Sequence, residues 1–332
     1  MIKRYLTKRL SYKTSYLFLL PCITCCFILC ACGPSASKTD VFSEGSSVSL
    51  PDDSVATSSG VNARDNTPHV LTPVEKGKTV YQCSVASIDA SNSSEGYVIA
   101  TYTGNSSKVK LQITGSDNIT YTYNLSKGKD VFPLSAGNGS YTFGVYENVS
   151  GNQYATAMSQ TVHVTITNTF GPFLYPNQYV KFDVSSKAVT LASSLAKDAG
   201  NDLDVVSNVY NYIITNISYD YDQASSVKSG YIPNIDSVLS RKKGICLDYA
   251  ALMTAMLRSQ SIPTRLEVGY AGDAYHAWIS TYIKDVGWVN GIIEFDGNSW
   301  ELLDPTFAAN SSEKALKKFI GNGNNYTTKY IY

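Results

Sequence analysis

The stretch Lys243-Gly244-Ile245-Cys246-Leu247-Asp248-Tyr249-Ala250 decides how this chain of 332 residues is read. It opens a run in which Ala250, Ala251, Met253, Met256 and Leu257 describe a buried helix that stops before Ile262-Pro263. Cys246 therefore falls at the first turn of that helix. There, unpaired backbone N–H groups and the positive end of the dipole favour a thiolate over a thiol. Downstream, Thr264 to Tyr270 reads as a strand, a glycine-containing turn follows, and Tyr275-His276-Ala277-Trp278-Ile279 enters a second strand whose alternation continues to Trp288. Ser299-Trp300-Glu301-Leu302-Leu303 then leads into Asp304-Pro305-Thr306, a carboxylate at a strand end with Pro305 stopping the pairing.

The chain order is thus a cysteine, a histidine and an aspartate, which supplies a nucleophile, a base and a group to orient the base. In that scheme His276 carries the proton of Cys246, and Asp304 fixes the imidazole tautomer and steadies the imidazolium. The thiolate attacks a carboxamide or peptide carbonyl to give a thioester, which water or an amine resolves. Residue types alone do not establish this, because one buried cysteine, one strand histidine and one strand-end aspartate meet by chance in many domains.

The local strings add to it. GICLDYA, a helix, Ile262-Pro263-Thr264, a strand ending in Gly269-Tyr270, then YHAW and LLDPTF closely resemble the transglutaminase-like superfamily, over roughly Thr169 to Phe319. The resemblance implies a papain-like core with a Cys–His–Asp triad in this chain order. It assigns Cys246 as nucleophile, His276 as general base and acid, and Asp304 as orienting residue, none of them substituted. It does not assign a reaction, since such domains include amine-transferring crosslinkers, peptidases, deamidases and inactive binding proteins. The Cys246 backbone N–H is a natural oxyanion donor, and no motif marks a side-chain donor. Tyr219, Asp220, Tyr221 and Asp222 flank the expected cleft. Asp248, Tyr249 and Trp278 are further cleft candidates; Asp248 otherwise complements the helix dipole, and Trp278 and Trp288 are otherwise core. No D-x-D-x-D-G string occurs, so neither a metal nor a cofactor is expected.

Outward from this region, the helical period begins beyond Phe170-Gly171-Pro172. Ala188, Leu191, Leu195 and Ala196 recur at helix spacing, and Asp202 is placed to cap a helix with Leu203, Val206, Val209, Tyr210 and Ile213 on one face. Before it, from Thr79 to about Thr165, short runs alternate with period two: Val109, Leu111 and Ile113, then Tyr141, Phe143 and Val145. Turn clusters about every ten residues make this an antiparallel β-sandwich, immunoglobulin-like in size but without the Cys–Trp–Cys pattern. His163 is expected as a surface strand residue. Gly33 to Lys78 is Ser-rich and poor in aromatics, the composition of a disordered tether; His69 within it has no expected chemistry.

The amino terminus carries Lys3, Arg4, Lys8, Arg9 and Lys13 with no acid, followed by the uncharged run YLFLLPCITCCFILCA from Tyr16 to Ala31. This is a positive n-region and a short h-region, too short for the roughly 20 residues a membrane-crossing helix needs, although an uncleaved anchor helix remains the alternative. Leu29-Cys30-Ala31-Cys32-Gly33 resembles a bacterial lipobox, with Cys32 as the lipidated residue that holds the protein on the outer face of a membrane. Five of the seven cysteines lie in or at the end of this segment, which leaves Cys83 and Cys246 in the body; their pairing would disable a nucleophile at Cys246.

Composition agrees. Hydrophobic residues are 43%, enough for real cores, while Lys+Arg and Asp+Glu are both 27 and no long basic block occurs, which excludes nucleic acid as a partner. Without residues 1–31 the balance is 22 basic against 27 acidic residues.

The expectation is an α+β surface lipoprotein of a bacterium, Gram-positive in style, in four parts. These are a signal peptide over 1–31, a disordered tether over 32–78, an Ig-like sandwich over 79–168 and a papain-like, transglutaminase-like domain over 169–332. Its expected activity is hydrolysis of peptide or glutamine amide bonds in a peptide or protein substrate. The rivals are an amine-transferring crosslinker and a non-catalytic protein that binds cell-wall polymer or protein.

Overall fold

Alternating burial between Val80 and Val164 produces two antiparallel sheets. The computed structural model describes residues 64–271, 274–290, 293–295, 300–302 and 326–332. The first sheet has the order β1-β2-β3-β6, from Val80–Gln82, Ala86–Asp89, Tyr97–Tyr102 and Gly128–Pro133. The second has the order β5-β4-β7-β8, where β4 is Val109–Thr114, β5 Thr120–Leu125, β7 Gly139–Ser150 and β8 Gln153–Val164. Val109, Leu111 and Ile113 pair with Leu125, Tyr123 and Tyr121, and all six are buried. The two sheets meet through these faces, with the Tyr123 ring set edge-on to Phe132 at 4.7 Å and the Tyr102 hydroxyl donating to Glu147. Lys110, Thr122 and Asn124, one residue out of phase, take the opposite face. His163 lies exposed on β8.

The helical region follows. Helix α1 spans Lys187–Ala196 and α2 spans Asp202–Asn216. Asn201, not Asp202, caps α2: its side chain accepts from the Asp204 N–H at 3.0 Å, and the Asp204 carboxylate accepts from the Asn201 N–H. Asp202 is instead drawn to Arg64, whose Nε approaches its carboxylate to 2.8 Å. Strand β9 (Ser218–Tyr219), α3 (Tyr221–Ser226), α4 (Ile235–Arg241) and β10 (Lys243–Gly244) lead to α5, Cys246–Arg258. Every residue of α5 from Asp248 to Arg258 is buried. That fits a helix packed between α1 and α2 on one side and strands β11 (Thr264–Ala271) and β12 (Ala274–Ile283) on the other. Those strands belong to a third antiparallel sheet, ordered β13-β12-β11-β16, with β13 at Gly287–Asn290 and β16 at Tyr326–Ile331. Between them in the chain, β14 (Ile293–Phe295) pairs with β15 (Trp300–Leu302).

The strand-rich and helical parts share one continuous core. Tyr121 packs edge-on against Tyr330 at 5.3 Å, its hydroxyl accepts from the Ile331 N–H, and Tyr123 lies 5.9 Å from Tyr332. Arg258, fully buried, donates to the carbonyls of Thr264, Tyr175 and Tyr332, clamping the end of α5 to three other segments.

One expectation is corrected here. Residues 64–78 were assigned to the disordered tether on composition, yet they are fixed to the body. Arg64 reaches Asp202 and the Gln260 carbonyl, the His69 N–H donates to the Ser259 carbonyl, and Asn92 donates to the Val74 carbonyl. The segment is held by the Arg64 side chain, by hydrogen bonds to its main chain and by Val70 packing on the core, which composition does not register. Residues 1–63, with the expected signal peptide and Cys32, lie outside the described residues. Among the described residues no helix is long and apolar enough to cross a membrane.

Candidate active site

The loop that presents Cys246 is built from both sides. Strand β10 pairs in parallel with β9, which sets Gly244 opposite Tyr219. A Cβ on Gly244 would stand 2.8 Å from the Cβ of Asp248, so only glycine allows that approach. The Asp248 carboxylate, with no solvent exposure, accepts from the Ile245 N–H at 2.9 Å, from the Tyr231 hydroxyl at 2.7 Å and from Gln223 at 3.2 Å. It thereby joins the residue before the cysteine to α3 and to the loop preceding α4. Burial raises the Asp248 pKa, and these hydrogen bonds oppose the rise.

His276 reaches the same place from β12, paired opposite Gly269 of β11. The next residue, Ala277, gives its N–H to the Cys246 sulfur, as does Leu247, and the Tyr219 hydroxyl donates to it as well. Tyr219 also accepts the Cys246 N–H, so the backbone donor expected for an oxyanion is occupied by a phenol oxygen. Burial nevertheless dominates and pushes the Cys246 thiol above its ordinary pKa, while burial lowers that of His276. Both shifts favour the neutral thiol and neutral imidazole. This differs from the expectation of a thiol depressed at the helix terminus: burial of the cysteine outweighs the hydrogen-bond donors around it.

Cys246 and His276 line one cavity of about 610 Å³, together with Tyr219, Tyr231, Tyr275 and Tyr330. Strands β4 and β5 contribute Lys110, Thr122 and Asn124 to its lining, a contribution that no motif marked. Asp304 lies outside the described residues. The three further candidates do not line the cavity. Asp248 is the internal brace described above, Tyr249 is 1% exposed with its hydroxyl on the Ile217 carbonyl, and Trp278 is 3% exposed against Tyr326. Asp248 and Tyr249 are buried on α5, whereas Trp278 shares the face of β12 that carries His276 and is covered there by Tyr326. Trp288 also lies away from the cavity, with the Arg265 guanidinium 3.7 Å above its ring. Of the YDYD run, only Tyr219 reaches the cavity; Asp220 caps α3 and approaches Lys243 at 3.2 Å. Cys83 and Cys246 are both free thiols. Among the described residues no group of three or more potential metal ligands occurs.

The family model of the transglutaminase-like superfamily matches residues 189–291, a segment that holds α1, α2, Cys246 and His276 and ends before Asp304. Residues 189–291 are a transglutaminase-like domain. Two curated relatives match parts of the chain. UPF0252 protein MJ1282 of Methanocaldococcus jannaschii is 32% identical over 96 residues, covering 25% of this chain and 27% of that protein. YebA of Bacillus subtilis is 23% identical over 172 residues, or 46% and 22%. The chain therefore spans about a quarter of the length of the curated relatives it matches. Among solved structures, one described as a candidate cysteine protease of Cytophaga hutchinsonii covers 76% of this chain and 73% of its own at 16% identity, with a TM-score of 0.34. The periplasmic domain of TgpA from Pseudomonas aeruginosa, bound to ethylmercury, covers 74% and 80% at 14% identity and a TM-score of 0.30. In this chain the transglutaminase-like domain supplies the cysteine and the histidine, and the preceding strands supply further residues that line their cavity.

Proposed function

We propose that the protein is an extracellular cysteine amidase or peptidase, tethered to the membrane through lipid on Cys32, whose Ig-like module faces the active-site cleft. The observation that carries the catalytic part is the juxtaposition at one cavity of Cys246 and His276, with the N–H of the histidine's neighbour on the sulfur. The resting pair is neutral, so proton transfer to His276 accompanies attack of the sulfur on the amide carbon. The tetrahedral intermediate collapses as His276 returns the proton to the leaving amine, and a thioester remains. Asp304 holds the imidazole in this reading. Tyr219, already within hydrogen-bonding reach of the sulfur and of the Cys246 N–H, yields that N–H to the carbonyl oxygen when substrate enters. Water on the thioester completes hydrolysis.

The test is release of ammonia or of a new amine from glutamine-containing peptides by the protein from Arg64 onward. Activity lost in Cys246→Ala and reduced by on the order of a thousandfold or more in His276→Ala is the expected result. Transfer of dansylcadaverine without hydrolysis would replace the amidase reading with a crosslinking one. No turnover of any amide would remove the catalytic reading.

A further inference from the structure

Two lysines line the Cys246 cavity, and no Asp or Glu side chain is among its described lining residues. Lys110 lies half-buried on β4, and its ammonium donates to the neutral amide oxygen of Asn124 on β5. Lys228 projects from the loop that crosses toward β5; there Gly230, at φ +84°, comes so close to Asn124 that a Cβ would meet its amide nitrogen at 1.9 Å. Neither lysine forms an ion pair among the described residues. Lys228 is exposed, but Lys110 is half-buried, and a half-buried ammonium loses hydration that a neutral amide only partly restores, which favours an anion beside it. The setting sharpens this, because the protein without residues 1–31 carries more acids than bases, 27 against 22. The cavity runs against its own protein's charge.

We infer that Lys110 and Lys228 form a carboxylate subsite in the cavity that Cys246 and His276 also line, so that the acyl donor is an acidic peptide. The subsite rests on the amidase reading for its place in a reaction, and on geometry alone for its charge. Tyr231, Tyr275 and Tyr330 line the same cavity and give the peptide an apolar bed with hydroxyl groups.

Alkylation reads the subsite without turnover. Iodoacetate and iodoacetamide both lose iodide to the thiolate and differ in one negative charge. The ratio of their rates at Cys246 in the native protein, divided by the same ratio in urea, is expected to exceed one. It should fall by about threefold to fivefold in Lys110→Gln, the scale of one partly exposed charge pair. Lys129→Gln, whose lysine pairs with Glu75 away from this cavity, is expected to leave the ratio unchanged. A native ratio at or below one overturns the subsite.

Binding provides the second reading, should Cys246 prove inaccessible to both reagents. Fluorescein-labelled peptides with one glutamine flanked by glutamates, or by serines, are titrated into the Cys246→Ala protein. Tighter binding of the glutamate peptide, weakened by salt and by Lys110→Gln, is expected; equal binding overturns the subsite. Preference for the anionic reagent or peptide without any amide turnover would leave the subsite standing and remove the catalytic reading. Turnover indifferent to flanking charge would do the reverse.

Discussion

At Cys246 two local effects oppose one another, and their balance sets the chemistry of the resting protein. The N–H groups of Ala277 and Leu247 and the Tyr219 hydroxyl all favour the thiolate, but burial outweighs them. His276 shifts the other way from the same cause. For the thiol, a raised pKa means that the reactive anion appears only as pH rises past the ordinary thiol value of about 8.5. For the imidazole, a lowered pKa means that it is neutral throughout that range. Iodoacetamide labelling of Cys246, followed by mass spectrometry from pH 5 to 10, should therefore climb above about pH 8.5. His276→Ala should not move the midpoint by as much as one unit. A plateau of reactivity near pH 6, lost in that variant, would show an ion pair instead. The cysteine and histidine were both legible in the sequence, because GICLDYA and YHAW carry their own context. The sign of the thiol shift was not, since it depends on burial of the cysteine in the fold. Tyr219 stood out only as part of a YDYD run, and its hydrogen bonds come from the pairing of β9 with β10, two residues each.

Among the elements, those with two clearly different faces were readable. Val109, Leu111 and Ile113 against Lys110 and Gln112 specify β4 and its orientation, and the apolar run after Cys246 specifies a helix buried on all sides. The cap of α2 was misread by one residue, since Asn201 and Asp202 are both good caps by type and only the reciprocal bond with Asp204 separates them. Arg258 could not be read at all, because a cation among Met256, Leu257 and Ile262 finds its acceptors in the nearby Thr264 carbonyl and the distant carbonyls of Tyr175 and Tyr332. Its removal is an element-scale experiment. Arg258→Met keeps much of the side chain's length and leaves those buried carbonyls without a donor, which is expected to cost about 3 kcal/mol or more. Arg265→Met, which loses stacking over Trp288 and Phe173, should cost about 1 kcal/mol. Urea midpoints at unchanged m-value check both, and equal losses would contradict the clamp.

For the molecule as a whole, the expected boundary near residue 168 is crossed by packing at many points. Arg64 holds Asp202, His69 holds Ser259, and Tyr121 and Tyr123 pack on Tyr330 and Tyr332. A continuous core of this kind unfolds as one unit. Calorimetry of the protein from Arg64 onward should show a single transition with calorimetric and van't Hoff enthalpies equal; two resolved transitions would mean that the strand-rich part and the transglutaminase-like domain melt separately. Long-range packing also explains why the strands' share of the cavity was illegible: Lys110 lies more than a hundred residues before Cys246, and only the docking of β5 brings it there. The strand β16 has a consequence of its own. Gly269, opposite His276, leaves so little room that a Cβ would stand 2.0 Å from the Thr327 carbonyl oxygen, and β16 closes over it to bring Tyr330 and Tyr332 to the cavity. A growing chain that has been synthesised only through β12 already holds the cysteine and the histidine, yet lacks this wall. The pocket is assembled late, so a polypeptide still emerging from the ribosome, or cut short before β16, carries the cysteine and the histidine without the enclosure that β16 provides.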